Sequence, residues 1–274
     1  MGMGRLLAGI HLRQASWKKP VYAAVGLLLI GWLLNTPGGL LGKADAIGYA
    51  VCHRIDLRSF HMGVRQLPLC ARCTGMYLGA MLGLAYNAVV GRRKAGTPPW
   101  RVLVVLGLLV TAFGVDGLNS FLHLIPGAPS AYQPQNWLRL LTGTGMGLVI
   151  ATMLFPAFNQ TVWKDWNSKP ALSGLGYLAG LVGLAFVLDL LVLSGNPLIL
   201  YPLALISAAG VLVLLTMVYS MVLLMVLKAE NLYYKFSELL LPLTGGFGFA
   251  LLQIAVLDFG RYLLTGTWDG FHLG

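Results

Sequence analysis

The sequence predicts an all-α, polytopic integral membrane protein with about seven transmembrane helices. Three observations predict it. Of 274 residues, 57% are hydrophobic and only 10% are charged, against about 25% charged in an ordinary soluble domain. The apolar residues fall in runs of the length a helix needs to cross a hydrocarbon core about 30 Å thick. The 35 glycines lie within those runs, where small residues let helix backbones approach closely.

Taken in order, the runs place spans at residues 20–41, 74–90, 101–125, 137–158, 170–193, 197–227 and 239–264. Turn-forming stretches separate them, among them Asn35-Thr36-Pro37-Gly38-Gly39, Gly96-Thr97-Pro98-Pro99, Pro126-Gly127-Ala128-Pro129 and Ser194-Gly195-Asn196-Pro197. Arg5, Arg13, Lys18 and Lys19 precede the first run and no small-residue cleavage site follows it, so this span is expected to be retained. The sixth is long enough to tilt, or to break at Pro202. Gly75, Gly79 and Gly83 form a ridge for helix packing. Trp17, Trp100, Trp137, Trp163 and Trp268 sit near span ends as expected interface anchors. Gly245-Gly246-Phe247-Gly248 follows no strand and is no nucleotide loop. Without an internal repeat, an inverted-repeat transporter is not expected. Three regions follow: 1–42, a cytoplasmic N-terminal segment with the first span; 43–158, a Cys/His segment with spans two to four; and 159–274, a three-helix extension.

The net charge of +10 does not point to nucleic acid, because membrane orientation accounts for most of it. Lys18, Lys19, Arg92, Arg93, Lys94, Arg101, Lys164, Lys169, Lys228 and Lys235 fall at one set of span ends, whereas connections 126–136 and 194–196 carry no Lys or Arg. The bias puts the N-terminus in the cytoplasm and the C-terminus outside, in the plasma membrane. Segment 43–72 is then extracytoplasmic, yet it holds Lys43, Arg54, Arg58, Arg65 and Arg72. A local violation of the positive-inside rule is expected where function demands the charge. Arginine's planar fork suits carboxylate or phosphate; the competing role is partnering Asp45 and Asp56.

That segment contains all three cysteines, Cys52, Cys70 and Cys73, with His53 and His61 nearby. Cys70-Ala71-Arg72-Cys73 is the C-x-x-C half of a zinc site, Cys52 offers a third thiolate, and His53 (or His61) a fourth ligand. The sulfurs should then lie within about 4 Å of one another. Adjacent helix residues diverge by about 100°, so joint ligation by Cys52 and His53 requires a turn or helix end there. A redox-active Cys70/Cys73 pair competes, since a helix N-terminus lowers thiol pKa, as does an inert or simple disulfide role.

Cys52-His53, Arg58-Ser59-Phe60 and Leu67-Pro68-Leu69-Cys70-Ala71-Arg72-Cys73-Thr74-Gly75-Met76-Tyr77-Leu78-Gly79 together resemble the predicted membrane proteins catalogued as domain of unknown function 2085. The likeness continues with Asp116-Gly117, Asn136, Arg139-Leu140 and Thr142-Gly143, covering roughly residues 45–155. It implies a prokaryotic membrane protein and no established activity. The three spans beyond residue 160 lie outside the pattern.

Charges within spans are costly and usually functional. Here they are Asp116, Arg139, Asp189, Asp258 and Arg261, all expected in the outer halves of their spans. Asp116, Asn119 or Ser120, and His123 share a helical face. The expectation is one outward chamber of Asp116, His123, Arg139, Asp258 and Arg261, with Asp116 and Arg139 paired directly and Arg54, Arg58 and Arg72 as a basic mouth. It would bind an anionic ligand, lipid-linked forms included, beside a zinc-like ion. The rivals are a thiol-disulfide oxidoreductase using Cys70 and Cys73, and a non-catalytic subunit whose polar residues bind membrane-complex partners.

Overall fold

The computed structural model describes residues 15–270, with side chains from Trp17 onward; Arg5, Arg13 and residues 271–274 lie outside the described residues. Helix α1 (Ala15–Asn35) is followed by a short helix α2 (Gly39–Val51) and a hairpin of β1 (Ser59–Met62) and β2 (Arg65–Cys70). Then come α3 (Ala71–Gly91), β3 (Lys94–Gly96), α4 (Trp100–Leu122), α5 (Asn136–Val162), β4 (Asn167–Pro170), α6 (Leu175–Leu193), α7 (Pro197–Val226) and α8 (Leu240–Thr265). Among the described residues, seven helices are long and apolar enough to cross a membrane: α1 and α3 to α8. Their outward residues, such as Leu108, Leu118, Phe186, Val187, Phe259 and Leu263, stay exposed, as lipid-facing positions must.

The first span is shorter than the sequence suggests, ending at Asn35 rather than residue 41. Pro37 has no N–H to continue the helix and drives Thr36 out of the α region. Asn35 Nδ2 and Thr36 Oγ1 donate to the carbonyls of Gly31 and Trp32 at 2.8 Å. Lys43 Nζ returns from α2 to the Thr36 carbonyl at 2.9 Å and to that of Leu33, a cation on a helix C-terminus. The α6 span likewise starts at Leu175, not 170, because residues 167–170 pair in parallel with β3. Helix α7 runs unbroken through Pro202. Its 30 residues measure about 45 Å, so of the two alternatives tilt remains.

The β1–β2 hairpin closes at Met62↔Arg65 with Gly63 at φ 60°. A glycine at the first central position is what a two-residue hairpin turn asks for. The hairpin returns the chain so that Ser59 lies opposite Cys70.

The α3–α5 interface fixes the site. A Cβ on Gly75 would meet Leu140 O, and one on Gly79 would meet Thr144 O. From the other side, one on Gly143 would meet Arg72 O, and one on Gly147 would meet Met76 O. The ridge read on α3 thus fits a matching ridge on α5, and the two backbones touch. Arg72 in the first turn of α3 is thereby brought to the first turns of α5, which carry Arg139.

At the opposite end of α3, Asn159 Nδ2 donates to both Arg92 O and Lys94 O at 2.9 Å. Trp163 is not the interface anchor its position suggested. It is 7% exposed, donates to Asn159 Oδ1 at 3.0 Å and lies under the Arg93 guanidinium. Trp268 also turns inward, with its ring 5.1 Å from that of Tyr49. Trp17, Trp100 and Trp137 stay exposed.

Candidate metal centre and arginine cluster

The ends of two helices deliver the cysteines. Cys52 caps the C-terminus of α2, Cys70 is the N-cap of α3, and Cys73 lies in the first turn of α3. A helix end at Cys52 is the backbone break expected there. The three sulfurs lie within 4.8 Å of one another. An ion with Zn–S bonds of about 2.3 Å would draw such a set closer. Cys52 Sγ accepts from the backbone N–H of Cys70 at 3.4 Å and of Arg54 at 3.5 Å, so one sulfur already has the donors that favour a thiolate.

The electrostatics follow. Hydrogen bonds from the Cys70 and Cys73 thiols hold Cys52 well below the ordinary thiol range, overcoming burial. Giving that bond to Cys52, together with burial, pushes Cys70 up to about 12. The donor set fits a soft or borderline cation such as zinc on three thiols.

The fourth ligand is not gathered with them. His53 Nδ1 accepts from Ile55 N–H at 3.1 Å, which leaves the proton on Nε2. Ligation through either nitrogen breaks that bond, directly or by moving the proton. Burial, then the charges of Arg58, Arg72 and Arg139, lowers the His53 pKa, against the opposing pull of Cys52, so the ring is neutral at pH 7. His61 Nε2 lies 2.8 Å from Asp56 Oδ1. Among the described residues, neither histidine joins the thiol group.

Beside the thiols, three guanidiniums meet at one serine. Arg58 donates to Ser120 O at 2.9 Å, Arg72 to Ser120 Oγ at 3.1 Å, and Arg139 Nε to the same Oγ at 3.4 Å. Asp116 and Ser120 are each 1% exposed. Asp116 pairs with Arg72, not with Arg139. The reason is positional: Ser120, one turn along α4, intervenes toward Arg139, which also donates to Asn136 Oδ1 at 2.8 Å. Tyr132 covers the carboxylate, donating to Asp116 Oδ1 at 2.9 Å. Asn119 clamps that loop by accepting Ala131 N–H at 2.7 Å and donating to Tyr132 O at 2.9 Å. Tyr132 escaped the sequence reading, since nothing in a connecting loop marks which residue folds back.

The single chamber expected from sequence divides. His123 is exposed and reaches Ser130 Oγ at 3.5 Å, outside the cluster. Asp258 accepts from Trp32 Nε1 at 3.0 Å. Arg261 donates to the carbonyls of Tyr49 and Cys52 at 2.7 Å, capping α2 as a cation should. Arg54 is 7% exposed and pairs with Asp45 at 3.0 Å; Arg65 takes the other oxygen at 2.6 Å. Arg261 and Arg54 thus bond around α2 and Asp258 bonds to α1, whereas Asp116, Arg58, Arg72 and Arg139 bond around Ser120. Asp189, from α6, accepts from Thr144 at 2.6 Å.

A bundle of apolar spans carrying a buried polar cluster at one end defines a polytopic membrane protein. The family model described as "Predicted membrane protein (DUF2085)" matches residues 52–153, from the first cysteine into α5. An uncharacterized protein of Methanothermobacter thermautotrophicus is 31% identical over 104 residues, 37% of this chain and 84% of its own. An uncharacterized protein of Methanocaldococcus jannaschii is 25% identical over 122 residues, 44% of this chain and 72% of its own. The chain belongs to this family of predicted membrane proteins. No solved structure matches it. The family match takes in the three cysteines, Arg58, Arg72, Asp116 and Arg139, and leaves out α6 to α8.

Proposed function

We propose that this is a multi-pass plasma-membrane protein in which Cys52, Cys70 and Cys73 hold one zinc-like ion and Arg58, Arg72 and Arg139 bind an anionic ligand beside it. One observation carries the reading: three guanidiniums converge on Ser120, with Asp116 as the one carboxylate bonded into the cluster among the described residues. A guanidinium buried at the end of a membrane span has a desolvation cost that a paired anion offsets. One carboxylate offsets one guanidinium, and an anion bound between the other two offsets the rest. Phosphate suits the planar forks, and a site at a span end suits a phosphate carried on a lipid.

The Lys/Arg asymmetry supports an orientation with this site extracytoplasmic and the N-terminus inside. The family match ending at residue 153 supports treating 159–274 as an extension of the 43–158 unit. His53, adjacent to Cys52, would complete a four-ligand set after its ring turns away from Ile55 N–H. A second reading, thiol-disulfide exchange by Cys70 and Cys73, is favoured by their place at the N-terminus of α3.

The test is thermal unfolding of the purified protein in detergent, with phosphate replacing chloride at constant ionic strength. A ligand at a hundred times its Kd stabilises by about 2.7 kcal/mol, so Tm should rise by roughly 5–10 °C. Arg58→Gln should abolish the rise, because Arg58 bonds only a backbone carbonyl and can leave without unpairing Asp116. No rise in the wild type, or an unchanged rise in Arg58→Gln, contradicts the reading.

A further inference from the structure

A large cavity lies at the end of α3 remote from the cysteines. It occupies about 1350 Å³ between α3, α5, α7 and α8. Its deep part is apolar, with Met81, Phe155, Leu212 and Phe247 from the four helices. At its mouth stand Arg92, Arg93 and Lys94 against one carboxylate, Asp165. Arg93 is committed to Asp165, to Tyr234 O and to the Trp163 ring. Lys94 Nζ donates to Val90 O at 3.0 Å. Arg92 is different. Its side chain is exposed and has no protein partner among the described residues. Its backbone is held at φ 40°, ψ −107°, a region that non-glycine residues rarely occupy. Asn159, 3% exposed, fixes this conformation through its bonds to Arg92 O and Lys94 O. Residues held in such regions by their surroundings cluster at ligand-binding positions.

We propose that this cavity is a binding site for a membrane lipid with an anionic headgroup, its acyl chain between α3, α5, α7 and α8 and its phosphate on Arg92. The shape fits an amphiphile: an apolar interior between spans, opening on a surplus of cations at one end. The volume exceeds the 300–1,000 Å³ or so of ordinary small-ligand pockets, as a chain-bearing ligand requires. Basic residues at the membrane surface are the usual readers of anionic lipid. Nothing here depends on the cysteines or on the Ser120 cluster.

The experiment is native mass spectrometry of the detergent-purified protein titrated with phosphatidylglycerol or phosphatidylcholine, and with glycerol 3-phosphate alone. Phosphatidylglycerol should bind about tenfold more tightly than phosphatidylcholine, a preference worth about 1.4 kcal/mol. Arg92→Gln should remove that preference while leaving the phosphate response of the Ser120 cluster intact; Arg58→Gln should do the reverse. Arg92→Gly relieves the backbone strain while removing the charge, so the lipid-free protein should melt higher and still lose the preference. Equal binding of the two lipids, preference retained in both Arg92 variants, or glycerol 3-phosphate binding as tightly as the lipid would each overturn the proposal.

Discussion

Cys52 and Cys70 share one cluster yet lie on opposite sides of the ordinary thiol range, because one accepts the hydrogen bond that the other gives. This sets the sign of the pH dependence. A thiol raised by folding stabilises the native state below its unfolded pKa of about 8.5, and that stability is lost as pH climbs toward the folded value of about 12. The metal-free protein should therefore weaken in alkali. A bound ion reverses the sign, since the metal displaces the Cys70 proton. Between pH 6 and 8, zinc affinity should rise at least about a hundredfold, tenfold per unit for each proton released. Competition titration with a zinc chelator at several pH values measures this. A pH-independent affinity means that no thiol proton is displaced. The same scale explains Asp116. Its pairing with Arg72 rather than Arg139 depends on a serine one helical turn away, and spacing along α4 shows that they share a face but not which residue stands between two helices.

At the scale of elements, what was legible followed from burial in lipid. Long apolar runs marked every spanning helix, because a backbone in hydrocarbon must satisfy its own hydrogen bonds. Gly75 and Gly79 announced a close contact, but their partner surface, Gly143 and Gly147, became apparent only when α5 was laid against α3. The first span was overread because Leu40 and Leu41 continue the apolar run past Pro37, and the backbone rule there outweighs composition. The hairpin at 59–70 escaped notice: two short strands with Pro68 in the second carry little alternation. Of the site, the cysteines and arginines were evident from their spacing and their placement against the positive-inside rule. Their grouping was not, because Arg261 is drawn to the carbonyl end of α2 and Arg58 to Ser120, both contacts between segments far apart in the chain.

Across the whole molecule, charge and fold agree on two unlike ends. Lys18, Lys19, Arg92, Arg93, Lys94, Arg101, Lys164 and Lys235 flank one end of the spans, and the Cys52–Cys73 segment caps the other. Reporter fusions in the connection at Gly96 and at the C-terminus should read cytoplasmic and extracytoplasmic respectively. An extracytoplasmic Gly96 reverses the assignment and moves the arginine cluster to the cell interior. Whether the thiol triad holds an ion is the decisive question. The direct measurement is metal content by mass spectrometry of the protein purified without added metal or chelator, alongside Cys73→Ser. The wild type should carry about one zinc per chain, lost together with thermal stability in the variant. Metal-free wild-type protein with Cys70 and Cys73 joined in a disulfide would contradict it.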